Sequence, residues 1–98
     1  MRYIVVETYL EGPAPVYERA AARGRMLPPG LLYIDSWVDA KESTRCFQLM
    51  ETEDPTLFEQ WTARWSDLVS FEIVPVISSA DAAAAHRTSA ASHPRGTT

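Results

Sequence analysis

"LLYIDSWVDAKESTRCFQLMET", residues 31 to 52, decides the fold. Two runs rich in aliphatic, aromatic and β-branched residues, 31–39 and 45–52, flank the short polar stretch "AKEST". Runs of that composition read as strands, and a connection of that length makes a hairpin. The centre of the chain is therefore a pair of antiparallel strands.

Working outward, each side adds one helix and one strand. Before the hairpin, "VYERAAARGRML" (16–27) places Val16, Tyr17, Ala20, Ala21, Gly24 and Leu27 on one side at helical spacing. Glu18, Arg19, Arg23 and Arg25 face away, Pro15 suits the first turn, and "PPG" (28–30) ends the segment. "RYIVVETYL" (2–10) is the strand before it. After the hairpin, Asp54 and Pro55 read as N-cap and first residue of a helix running to about Leu68. Its apolar stripe is Leu57, Phe58, Trp61, Trp65 and Leu68. "SFEIVPVIS" (70–78) is the last strand, and Pro75, with no N–H to donate, puts it at a sheet edge or bulge.

The order β-α-β-β-α-β is the α+β, ferredoxin-like arrangement. Right-handed crossovers place the first and third strands in the middle of a four-stranded antiparallel sheet, with both helices on one face. The domain is expected over 1–78. Residues 79–98 are rich in alanine, serine and threonine and carry almost no large apolar side chain, so a mobile tail is expected there, with a helical turn or two in "DAAAAHR".

Alternation along the strands sorts the side chains into two faces. Ile4, Val6, Leu32, Ile34, Phe47, Leu49, Phe71 and Ile73 are compact and apolar, and are expected under the helices. The other set is Tyr3, Val5, Glu7 and Tyr9, then Tyr33, Asp35 and Trp37, then Cys46, Gln48 and Met50, then Glu72, Val74 and Val76. That face is too apolar to stand bare and too polar for a dry core. A second copy packed sheet to sheet, giving a dimeric α/β barrel with a ligand cavity, resolves both difficulties.

The 98 residues make one domain, small enough that a partner subunit is a reasonable expectation. A net charge of −4 argues against nucleic acid and against an anionic membrane surface. The single cysteine excludes an internal disulfide and fits a reducing cytoplasm. Residues 1–78 contain no histidine, which argues against imidazole-based metal sites and a histidine-ligated haem, so no cofactor is expected.

"GRMLPPGLLYIDSWV", "RCFQLMET" and "WTARWSDLVSFEIVPV" resemble, in order, a family of short bacterial proteins known as domain of unknown function 3303. The likeness covers about residues 1 to 78. It implies membership of the dimeric α/β-barrel superfamily, which includes cofactor-free monooxygenases, muconolactone isomerases, haem enzymes and non-catalytic members. It carries over no catalytic residue.

Glu7 and Asp35 are the candidate general bases, because burial of a carboxylate raises its pKa toward a useful range. Pairing with arginine or tyrosine is the bland alternative for each. Tyr9, Tyr33, Trp37, Gln48 and Met50 are the candidate ligand contacts; filling a dimer interface is the alternative for the aromatics. Cys46 reads as buried and inert. Two functions suit this pattern. One is a homodimer binding a small hydrophobic or aromatic metabolite, between sheet and helices or at the dimer interface, with cofactor-independent oxygenation or isomerisation as its chemistry. The other is a non-catalytic homodimer that senses a ligand or binds another protein.

Overall fold

The computed structural model describes residues 1–92. Its elements are β1 (Arg2–Tyr9), α1 (Pro13–Arg23), β2 (Leu32–Val38), β3 (Arg45–Glu51), α2 (Leu57–Ala63), β4 (Val69–Val76) and α3 (Ser79–Ser92). All strand pairs are antiparallel, and the sheet order is β2-β3-β1-β4. This is the ferredoxin-like arrangement, with β1 and β3 central and the proline-bearing β4 at an edge.

The hairpin closes on Asp39. Its Oδ1 accepts the backbone N–H of Lys41 at 2.9 Å and of Glu42 at 3.1 Å, and Arg45 forms an ion pair with it at 3.6 Å. Those backbone bonds hold the Asp39 carboxyl below its ordinary pKa. At the other side of β2, Gly30 takes φ +97°, a conformation that favours glycine, and a Cβ there would lie 3.0 Å from Leu57 Cδ1.

α1 begins two residues before Pro15, at Pro13, and stops at Gly24, whose N–H bonds Ala20 O. α2 is shorter than its apolar stripe suggests. Asp54 caps a turn rather than the helix: its Oδ1 accepts the Thr56 N–H and hydroxyl. Regular helix starts at Leu57 and ends at Ala63, after which the chain continues in i→i+3 turns to Leu68. Those tighter turns still bury Trp65, so the stripe survives without a continuous helix.

The core lies between the sheet and α1, α2 and their connecting turns. Val5, Met50 and Trp61 are its most enclosed large side chains, joined by Val16, Leu31, Phe58, Trp65 and Val69. Aromatic contacts tie helix to sheet, with Tyr3 edge-on against Phe58 at 4.9 Å and Trp61 tilted against Phe71 at 5.2 Å.

The faces of β1 and β3 are reversed from the expectation. Val5, Glu7, Tyr9, Cys46, Gln48 and Met50 lie under the helices, and Ile4, Val6, Phe47 and Leu49 are half-buried on the opposite face. Both sets are rich in apolar groups, so alternation could not decide between them, and polarity pointed the wrong way: the polar residues belong inside. β4 follows the expectation, with Phe71 and Ile73 packed on the core. β2 does neither, because its register shifts between Tyr33 and Asp35. That irregularity sends Tyr33 toward the helices and leaves Asp35 and Trp37 on the open face, while Leu32 and Ile34, expected under the helices, are exposed.

Residues 79–92 form one helix rather than a turn or two. Ser78 Oγ accepts the Asp81 N–H at 3.0 Å, and the alanine run supplies high intrinsic propensity. Every residue from Ser79 to Thr88 is exposed. The tail reading for residues 93–98 lies outside the described residues. No described helix is long and apolar enough to cross a membrane.

Candidate functional site

A cavity of about 210 Å³ opens between the sheet and the two helices. β1 contributes Glu7 and Tyr9, β3 contributes Cys46 and Gln48, and β2 contributes Ser36 and Val38. α1 closes one side with Val16, Tyr17 and Ala20, and Trp61 and Trp65 close the other. Arg25 stands at its margin, in the loop after α1.

The polar groups of this cavity are deeply placed. Glu7 is 5% exposed and Gln48 7%. Burial pushes the Glu7 carboxyl above its ordinary pKa, opposed by the Gln48 amide, the Cys46 thiol and the Arg25 charge. Burial likewise raises the Tyr9 hydroxyl and the Cys46 thiol, so both are neutral near pH 7. Cys46 is a free thiol and buried, as the sequence suggests. Gln48 Oε1 is buried and has no hydrogen-bond partner. Native interiors rarely leave such an acceptor unpaired, because its lost hydration goes uncompensated.

The loop carrying Arg25 is pinned from the far side of the cavity. The indole N–H groups of Trp61 and Trp65 both donate to Arg25 O at 3.0 Å, and Arg64 donates to Met26 O at 2.5 Å. The Arg25 guanidinium stacks 3.5 Å from the centre of the Tyr33 ring. The Tyr33 hydroxyl in turn bonds Ser36 Oγ at 2.7 Å.

The sequence-derived candidates divide accordingly. Glu7, Tyr9 and Gln48 line one cavity, and they do so between sheet and helices rather than between two sheets. Tyr33 borders it through Ser36 and Arg25. Met50 is fully enclosed core beneath it. Asp35 and Trp37 do not join them: the β2 irregularity leaves both exposed on the opposite face, where Asp35 Oδ1 accepts the Ser36 N–H. Arg25 is the charged cavity residue that sequence reasoning missed. Counted on the helical wheel of α1, it falls on the solvent side. Gly24 just before it is the available signal, since a glycine ending a helix puts the next residue in a loop.

Among the described residues no group of three or more histidine, cysteine, aspartate or glutamate side chains is arranged to hold a metal. What the arrangement offers is one carboxylate able to exchange a proton, one free carbonyl acceptor, neutral hydroxyls and indole walls. Comparison with curated proteins and with solved structures finds no match. The family model described as domain of unknown function DUF3303 matches residues 1–90, which takes in most of α3 as well as the sheet and both core helices, and the chain belongs to that family.

Proposed function

We propose that this chain is a homodimeric domain that binds a small ring-bearing metabolite in the cavity between sheet and helices. The observation that carries the reading is the Gln48 acceptor: a buried amide oxygen without a donor, in a cavity with aromatic walls and space beside it. Mixed apolar lining with a few convergent polar groups is the ordinary character of a ligand site. The volume suits a single ring with its substituents. Glu7 is the base such a site needs for proton abstraction, so isomerisation or cofactor-independent oxygenation is the chemistry it fits. The lone buried thiol accords with a cytoplasmic setting.

The homodimer is supported by the other side of the sheet. Ile4, Val6, Phe47 and Leu49 run across its centre, with Leu32, Trp37 and Val74 beside them. Trp37 is 52% exposed and Leu32 56%. A contiguous apolar face of this kind on so small a domain calls for a cover, and a second copy, sheet to sheet, offers a matching one.

The test is a thermal-shift screen of monocyclic aromatic metabolites on wild type and Gln48→Leu, with mass by light scattering on the same samples. A ligand at about a hundredfold its Kd should stabilise wild type by about 2.7 kcal/mol, and Gln48→Leu should fold but respond less. No stabilisation by any ring compound overturns the binding reading. A monomeric mass at micromolar concentration overturns the homodimer.

A further inference from the structure

The loop at the cavity margin holds a shape that its residues would not choose alone. Gly24 has φ 67° and Met26 φ 58°. Glycine tolerates that region, but a methionine there is strained unless its surroundings impose it. Here they do: both tryptophan indoles and Arg64 grip the two carbonyls around Met26. The consequence is a fixed position for Arg25 beside the cavity. The Tyr33 ring covers one face of its guanidinium, and a guanidinium engages a carboxylate through its in-plane N–H edges, two at a time. Among the described residues no carboxylate pairs with Arg25, whereas Arg2, Arg19 and Arg45 each have one.

Arg25 and Gln48 both line the cavity. One is a cation at the margin that acts on the Glu7 carboxyl only across the cavity, without an ion pair, and the other a buried acceptor lacking a donor. Trp61, Trp65 and Val16 supply flat and apolar walls. Resting on the reading of this cavity as a ligand site, we propose its ligand class: a small aromatic carboxylic acid with a hydroxyl or amino group on the ring. The carboxylate meets the Arg25 edge, and the ring substituent donates to Gln48 Oε1. A neutral ring would leave Arg25 unused, and an acid without a donor would leave Gln48 unpaired.

The experiment is calorimetric titration of the full chain with four probes: 4-hydroxybenzoate, 4-aminobenzoate, benzoate, which lacks the donor, and 4-hydroxybenzamide, which lacks the charge. The first two should bind roughly tenfold or more tightly than the last two, the range for a charged or buried hydrogen bond. Arg25→Gln should erase the preference for 4-hydroxybenzoate over its amide and leave the preference over benzoate. Gln48→Leu should do the reverse, with Gln48→Met as the second variant if the leucine protein does not fold. Equal binding of all four probes to wild type, or preferences that survive both substitutions, overturns the proposed ligand class while leaving a ligand site. Binding of none of them overturns the class, and failure of every ring compound in the wider thermal-shift screen removes the site as well.

Discussion

The two faces of this sheet are built from nearly the same stock of residues and end in opposite conditions. Beneath the helices, β1 and β3 carry Val5, Glu7, Gln48 and Met50, all buried. On the open side, one residue away, they carry Ile4, Val6, Phe47 and Leu49, all half-exposed. The covered face holds the polar groups and the uncovered face is the more uniformly aliphatic. A lone monomer gains nothing from that distribution. It makes sense if polar groups are buried for a task, at a cost in desolvation, while the apolar open face awaits its own cover.

The harshest way to test the contrast is to cut one large aromatic from each side. Trp61→Ala removes a 2% exposed indole together with its bond to Arg25 O. The expected loss is about 3–5 kcal/mol, comparable to the whole stability of a small domain. Trp37→Ala removes a half-exposed ring and should cost the monomer about 1 kcal/mol or less. Denaturant melts of the two variants check this. Soluble, cooperatively folding Trp61→Ala protein with wild-type stability would mean that the covered face is not the core.

Next in size is assembly. Phe47→Glu puts a charge in the middle of the open face, where Arg45 lies over the ring at 5.0 Å and can partly neutralise it. The fold should persist, and if the proposed homodimer forms through this face, its mass by light scattering should fall to that of a monomer. A dimer that withstands this substitution is not assembled through the sheet.

A smaller effect sets the buried Glu7 against carboxylates outside the sheet by pH. Burial raises Glu7 above the ordinary glutamate value of 4.5, so between its unfolded and folded pKa values the native state holds a proton that the unfolded chain has released. Its favourable contribution is full below pH 4.5 and is lost as pH rises through the folded value. Glu7→Gln should flatten that decline and leave the protein relatively more stable at neutral pH. Asp39 and Asp67 act with the opposite sign: backbone bonds at Asp39 and Arg19 beside Asp67 lower their pKa values, so their contributions fade only as pH falls. Urea melts from pH 4 to 8 on both proteins check the slope. Parallel curves would show that Glu7 ionises in the native state as it does in water.

Much of the fold was legible because it rests on local patterns. The hairpin, the stripe of Trp61 and Trp65, and Pro75 at an edge together specify the strand order. The choice of face was not legible, since β1 and β3 are apolar on both sides and only the packing of α1 and α2 decides which side is covered. The register shift between Tyr33 and Asp35 carries no glycine or proline to announce it, and it alone removes Asp35 and Trp37 from the site. Glu7, Tyr9 and Gln48 were found because polar groups amid large apolar ones are conspicuous in any strand. Arg25 was not, because what fixes it comes from Trp61 and Trp65, 36 and 40 residues away.

The smallest expected effect concerns the two helices that flank β4. α2 is 7 residues long and buries Phe58 and Trp61; α3 is 14 residues long, and its described side chains are all exposed. Length therefore says little about what each contributes. An alanine-rich helix whose described side chains are all exposed draws on propensity and on its Ser78 cap. Deleting residues 81–98 should leave the melting temperature within about a degree of wild type, since almost no apolar burial is lost. The family match, which runs to residue 90, gives the measurement its point. If truncation lowers the melting temperature by several degrees, and does so more at high protein concentration than at low, then α3 packs against the second copy. The cover of the open face would then extend beyond the sheet itself.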